Sequence, residues 1–166
     1  MNKLIFYSHK DCLLKDNGLH HPERKERLEI VTKSIDSIDD ILIIKKNSPS
    51  ADIKLIGDVH PISYLEKMFA QIPSIGLTNV KEEPYADTFL CKNSKNAILK
   101  SCGAGIAAAD DLFKNNKRIF CGVRPPGHHA EIIKFPFGFC FVNNIAVCAR
   151  YLQKKYEVNK IAIIDF

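Results

Sequence analysis

Apolar positions along this chain fall into two kinds of segment that alternate from end to end. Short, densely apolar runs at Leu4–Tyr7, `ILIIKK` (41–46), `RIFCGV` (118–123) and `KIAIIDF` (160–166) read as strands, the later ones as buried strands. Between them the apolar residues spread to helical spacing. In `HPERKERLEIVTKSI`, Leu28, Ile30, Val31 and Ile35 share one face, which predicts a helix beginning near Pro22. Proline is tolerated in a first helical turn because the N–H it lacks would have no partner there. Residues Ile62–Ala70 also read as helix, and Pro73–Asp87, punctuated by glycine and proline, as a loop.

The clearest helix is Ser94–Phe113, with Ser94 placed to cap it. Its small-residue run `CGAGIAAAD` predicts close packing against a sheet. Gly103 and Gly105 would each cost about 1 kcal/mol relative to alanine in a helix, so tight backbone approach is the expected reason for them. A last helix is predicted over `NNIAVCARYLQKKY`, with asparagine at its start. Strands that alternate with helices and are continuously apolar point to an α/β fold, a parallel sheet with helices on both faces. Ligands bind such sheets beyond the carboxyl ends of the strands. The loop after strand 118–123 and Asp165, at the carboxyl end of strand 161–165, both belong to that edge. With no internal repeat, low-complexity tract or linker, residues 1–166 read as one domain unit.

Composition narrows the function classes. Apolar residues make up 46% and charged residues 26%, ordinary values for a globular chain. The net charge of +5 comes from scattered lysines without interleaved aromatic platforms, so direct nucleic-acid binding is not expected. No apolar run is long enough to cross a membrane, and the opening `MNKLIFYSHKDC` reads as a first strand rather than a signal peptide. Six cysteines occur without a C-x-x-C pair or zinc-ribbon spacing, which fits reduced thiols and a cytoplasmic location.

The stretch `RPPGHHAEIIKFPFGFCFVNN` (124–144) departs from this pattern. It sets a tandem histidine in a proline- and glycine-fixed turn and follows it with a phenylalanine-rich loop. Adjacent side chains diverge, so His128 and His129 are poorly arranged to grip one metal ion together. They suit two separate proton-handling roles near neutral pH, each needing an orienting partner, for which Asp165 is a candidate. A hydrogen-bonded turn at a strand end accounts for the same residues equally well. A thiolate–imidazole pair of Cys140 with either histidine is a further alternative, opposed by the Phe139 and Phe141 neighbours, which would raise the thiol pKa.

`RPPGHHAE` followed by `GFCFVNNIAV` resembles the signature of the histone deacetylase superfamily, nearer its class II and bacterial deacetylase-like branch. `GLHHPERKERLEIV`, `VHPISYLEKM`, `DTFLCKNSKNAILKSCGAG` and `KIAIIDF` resemble, in order, further elements of the same family. The resemblance implies an arginase/deacetylase-like fold and a zinc-dependent amidohydrolase acting on acetylated lysine or a related small acetylated amine. It implies that His129 is the main general base and acid and that His128 assists electrostatically and in proton transfer. Asp165 would orient His128 and belong to a monovalent-cation site, potassium being a candidate. Gly138 and Phe139 would line the acyl-lysine tunnel, Asp87 would contact substrate at its rim, and Arg27 would stand near the cavity that handles released acetate. In the family, the zinc-ligand element begins just beyond the position of Phe166 and the transition-state tyrosine follows later. The chain therefore corresponds to the N-terminal half of the domain, without zinc ligands of its own, and no zinc or deacetylase activity is expected of it alone. Two readings stay open: a truncated part of a deacetylase, or a metal-free remnant acting as a binding module.

Overall fold

The computed structural model describes residues 3–80, 87–115, 118–134 and 136–166. Strand β1 (Lys3–Ser8) is the centre of a three-stranded parallel sheet in the order β2–β1–β5, with β2 spanning Leu42–Asn47 and β5 spanning Arg118–Cys121. A single 3₁₀ turn at Lys10–Cys12 follows β1. The helices are α1 (Lys25–Asp36), the one-turn α2 (Ile53–Ile56), α3 (Ile62–Ala70), α4 (Ser94–Asn115) and α5 (Asn144–Tyr156). Two short strands, β3 (Leu77–Asn79) and β4 (Phe89–Cys91), pair antiparallel as a separate ribbon. Among the described residues, no helix is long and apolar enough to cross a membrane.

Strand β1 is central because its side chains can be buried on both faces. Ile5 and Tyr7 pack with Ala104 of α4, while Phe6 on the other face meets Gly122 and Leu28 of α1. Helices therefore cover both faces, as the sequence pattern predicts. A second core lies between α4, α5, α2 and α3, around the fully buried Ile56, Leu65, Leu90, Phe141 and Val147. Burying a side chain such as Phe141 contributes about 1.5–3 kcal/mol.

Five expectations need correction. The first helix starts at Lys25, not near Pro22: Arg24 is extended (φ −135°, ψ 157°) and Glu23 is drawn into the interior by an ion pair. The 73–87 loop contains β3; residues 81–86 lie outside the described residues. Strand 118–123 ends at Cys121 and alternates between exposed and half-buried, because Ile119 and Cys121 pack on the Ile5, Tyr7 and Ala104 cluster while Arg118 and Phe120 point to the other face. Residues 161–166 form no strand. Ile163 and Ile164 are 54% and 83% exposed there, because an apolar run becomes a buried strand only when a ladder and two covering layers receive it. Ser94 opens α4 as expected, but its hydroxyl accepts the Cys91 N–H at 2.8 Å instead of a helix amide.

The small residues of α4 do serve close approach. A Cβ on Gly103 would stand 2.0 Å from the Pro49 carbonyl oxygen and 2.9 Å from the Ala51 nitrogen, whereas one on Gly105 would come no nearer than Cys148 Cβ at 3.2 Å, with the Asn144 carbonyl oxygen and Cys148 Sγ at 3.7 Å. Backbone cannot yield as a side chain can. Gly103→Ala is expected to lower unfolding free energy by about 1–3 kcal/mol despite alanine's higher helix propensity. Gly105→Ala should be within about 1 kcal/mol of the parent. Urea denaturation of the two variants checks the contrast.

Candidate active site

The 124–144 loop is anchored at both ends and in the middle. At its start, the Arg124 guanidinium pairs through two nitrogens with the Glu23 carboxylate and donates to the carbonyls of Cys12 (2.8 Å) and Lys15 (3.2 Å). Arg124 and Glu23 are each only 5% exposed, and Asn17 donates to Glu23 while accepting from Lys15. Next, Ser101 Oγ donates to the Pro125 carbonyl (2.8 Å) and accepts from Asn144 Nδ2 (2.7 Å). In the middle, the fully buried His60 accepts the Asn143 N–H at Nε2 (2.9 Å). Its proton therefore sits on Nδ1 and is donated to the Ile132 carbonyl (3.1 Å). Tyr64 donates to the Phe141 carbonyl (2.7 Å), and Asn143 caps α5 by accepting the Ala146 N–H (3.0 Å).

On this frame, the turn after Gly127 presents His128 and His129 to solvent. Their rings lie 4.3 Å apart at 61°. His128 Nδ1 faces both oxygens of Asp165, at 2.8 and 3.0 Å, so its Nε2 is the nitrogen left to exchange protons outward. This exposed pair contributes little to stability, and its value is orientation. Among the described residues no carboxylate pairs with His129; its ring stands edge-on to Phe137 at 5.6 Å. Gly138 presses on it directly: a Cβ there would fall 2.5 Å from His129 Cδ2. Gly138 (φ +55°) and Phe139 (φ +67°) form a tight left-handed turn closed by reciprocal Phe137–Cys140 backbone bonds.

Phe139 meets the His21 ring edge-on at 4.7 Å, and its N–H is accepted by Thr88 Oγ1 at 2.9 Å. Thr88 in turn donates to Asp87 Oδ1 (2.9 Å), so Asp87 belongs to the same cluster. Arg27 does not. It is exposed and lines a cleft of about 250 Å3 with Glu23, Phe120, Gly122 and Pro126, behind the anchored start of the loop. A cavity of about 770 Å3 lies elsewhere again, beside residues 13–20 and Arg124, away from the paired histidines.

Cys140 is fully buried, and that burial pushes its thiol up to about 11, which removes the thiolate–imidazole alternative. Among the described residues no three His, Cys, Asp or Glu side chains come together to hold a metal ion, so these side chains do not fit the zinc of the family. Sequence reasoning did not single out Glu23, His60, Thr88 or His21 as supports. Glu23 and Arg124 are 101 positions apart, and no spacing rule links them.

The histone deacetylase domain model matches residues 21–166. The chain belongs to the histone deacetylase family. Histone deacetylase 10, chloroplastic, of Oryza sativa subsp. japonica is 32% identical over 162 residues, covering 88% of this chain and 36% of that protein. Type-2 histone deacetylase 1 of Dictyostelium discoideum is 31% identical over 215 residues, covering 99% of this chain and 14% of that protein. The crystal structure of the HDA15 HD domain superposes with a TM-score of 0.78 at 23% identity, over 92% of this chain and 44% of that one, and so shows the same fold. The chain thus spans less than half the length of each of these proteins.

Two predictions concern the supports of this deacetylase-family loop. Arg124→Ala leaves Glu23 charged and buried without its partner and should cost about 3–5 kcal/mol in chemical denaturation. Arg124→Lys should recover only part of that, since an ammonium cannot make the two-nitrogen fork. Burial lowers the His60 pKa below its ordinary 6.5. The unfolded chain then binds a proton that the folded chain refuses, so unfolding free energy should fall as pH drops below about 6.5. Denaturation curves at a series of pH values check this, and the fall should be smaller in His60→Gln.

Proposed function

We propose that this chain supplies the proton-handling half and one tunnel wall of a zinc-dependent amidohydrolase that removes acetyl groups from acetyl-lysine or a related small acetylated amine. The observation that carries the reading is the tandem histidine itself, with His128 Nδ1 held on Asp165 and His129 backed by Gly138 and Phe137. Zinc in such enzymes makes bound water acidic and polarises the amide carbonyl. By the resemblance, its ligands would come from the element that follows the position of Phe166 in the family.

The roles of the residues follow from their surroundings. Hydrolysis forms a C–O bond from water and breaks the amide C–N bond, so one proton must leave the water and one must reach the departing amine. His129, solvent-facing and without a carboxylate in hydrogen-bond contact among the described residues, would take the first and deliver the second. His128 keeps its Nδ1 proton on Asp165 and presents Nε2 beside it, stabilising the charge that passes through His129. By the resemblance, Asp165 also contributes to a monovalent-cation site. Gly138 and Phe139 wall the acyl chain, Asp87 contacts substrate at the rim, and Arg27 stands by an acetate exit.

Metal analysis and an acetyl-lysine peptide assay test the proposal on two proteins: the 166-residue chain, and the same chain continued by the remaining catalytic-domain residues of the rice relative. Zinc and turnover are expected only in the second. His129→Ala should lower its turnover about 10²–10⁴-fold with zinc content unchanged. Stoichiometric zinc with turnover in the 166-residue chain would overturn the division of labour, and a zinc-loaded, folded continuation without turnover would overturn the activity.

A further inference from the structure

The turn that carries the Phe139 ring is under conformational load. Phe139 is a bulky residue in the left-handed region (φ +67°), a conformation that costs an L-residue stability unless its surroundings enforce it. Gly138 beside it bears no such cost, yet Phe137–Cys140 pairing requires both residues to turn in the same sense. Something outside the turn must hold Phe139.

Two residues with no role in the proposed chemistry do so. Thr88 is 1% exposed and its hydroxyl is used in both directions: the oxygen accepts the Phe139 N–H at 2.9 Å and the proton goes to Asp87 Oδ1 at 2.9 Å. His21 accepts the Glu23 N–H at Nδ1 (3.0 Å), which leaves its proton on Nε2 for the Asp87 carbonyl at 2.9 Å. Its ring stands edge-on to Phe139 at 4.7 Å and to Phe89 at 6.1 Å. Three segments remote in sequence thus meet at one point, and the carboxylate of Asp87 is linked to the Phe139 backbone through a single hydroxyl.

We propose that Thr88 and His21 are positioning residues that hold the Phe139 wall in place and couple it to the Asp87 carboxylate, so that acyl-chain and rim contacts are set together. The assignment of Phe139 and Asp87 to substrate rests on the deacetylase reading; the brace itself does not.

Residue-resolved amide exchange on the 166-residue chain reads the brace without any need for activity. Thr88→Val keeps the side-chain shape and deletes both hydroxyl bonds. Exchange at the Phe139 amide should rise about tenfold or more relative to the β1 amides of Ile5 and Phe6, and Thr88→Ser should restore it. Should the valine variant also release the β1 amides, His21→Phe, which keeps an aromatic ring but cannot bond the Asp87 carbonyl, supplies the comparison. It should raise Phe139 exchange with β1 unchanged. Unchanged relative exchange at Phe139 in either variant that keeps its β1 protection would overturn the brace. In the zinc-loaded continued domain, Thr88→Val should raise KM for an acetyl-lysine peptide about tenfold with a smaller effect on kcat. A faster-exchanging Phe139 with KM unmoved would overturn the coupling to substrate. Absence of turnover in the unsubstituted domain would count against the deacetylase reading alone, because the exchange result stands apart from it.

Discussion

The buried fork between Arg124 and Glu23 is the constraint on which the rest of the site depends. Removing two charges from water is costly, and a buried pair repays that only when the remaining donors are also satisfied. Here they are: beyond the carboxylate, the guanidinium reaches the carbonyls of Cys12, Lys15 and Glu23. An apolar pair of equal volume could hold the same space with as much stability. It could not set the register between the chain leaving β1, the entry to α1 and the first residue of the histidine loop. The fork also explains why α1 begins late, since Glu23 must point inward before the helix can start at Lys25.

From that anchor, burial falls off toward the histidine pair. Ser101, His60 and Tyr64 hold loop carbonyls and amides from helices α4 and α3 and the turn between α2 and α3, all of them buried or half-buried. The histidine pair itself is exposed, and so is its partner Asp165. A site needs this gradient: the groups that move protons must be reachable, so their geometry has to be imposed by neighbours that are not. Gly138 shows how close the imposition is, since a methyl group there would occupy the space of the His129 ring.

Much of this was legible in the sequence, and the part that was not has a common cause. Periodicity located β1, β2, α3 and α5 within a residue or two, and the small residues of `CGAGIAAAD` announced a close approach of α4, although Gly103 meets the Pro49–Ala51 segment after β2 rather than a strand. The block 124–144 stood out because prolines, glycines and paired histidines are rare together in a packed segment. What stayed hidden were couplings between residues far apart in the chain: Glu23 with Arg124, Thr88 with Phe139, His60 with Asn143. Each is an unremarkable polar residue in its local context and acquires its role only from the fold. The 161–166 run failed for a related reason. Its pattern specifies a buried strand, but burial is a property of neighbours that pattern does not supply.

The tandem histidine now has a physical explanation that its residue types alone could not give. Two imidazoles on successive residues of a turn point in different directions, and the structure gives each direction a different environment. One ring meets a carboxylate and keeps its proton there; the other meets Gly138 and the edge-on Phe137 ring. Adjacent residues thus occupy separate environments, and it is the missing side chain at Gly138 that lets the second ring come so close.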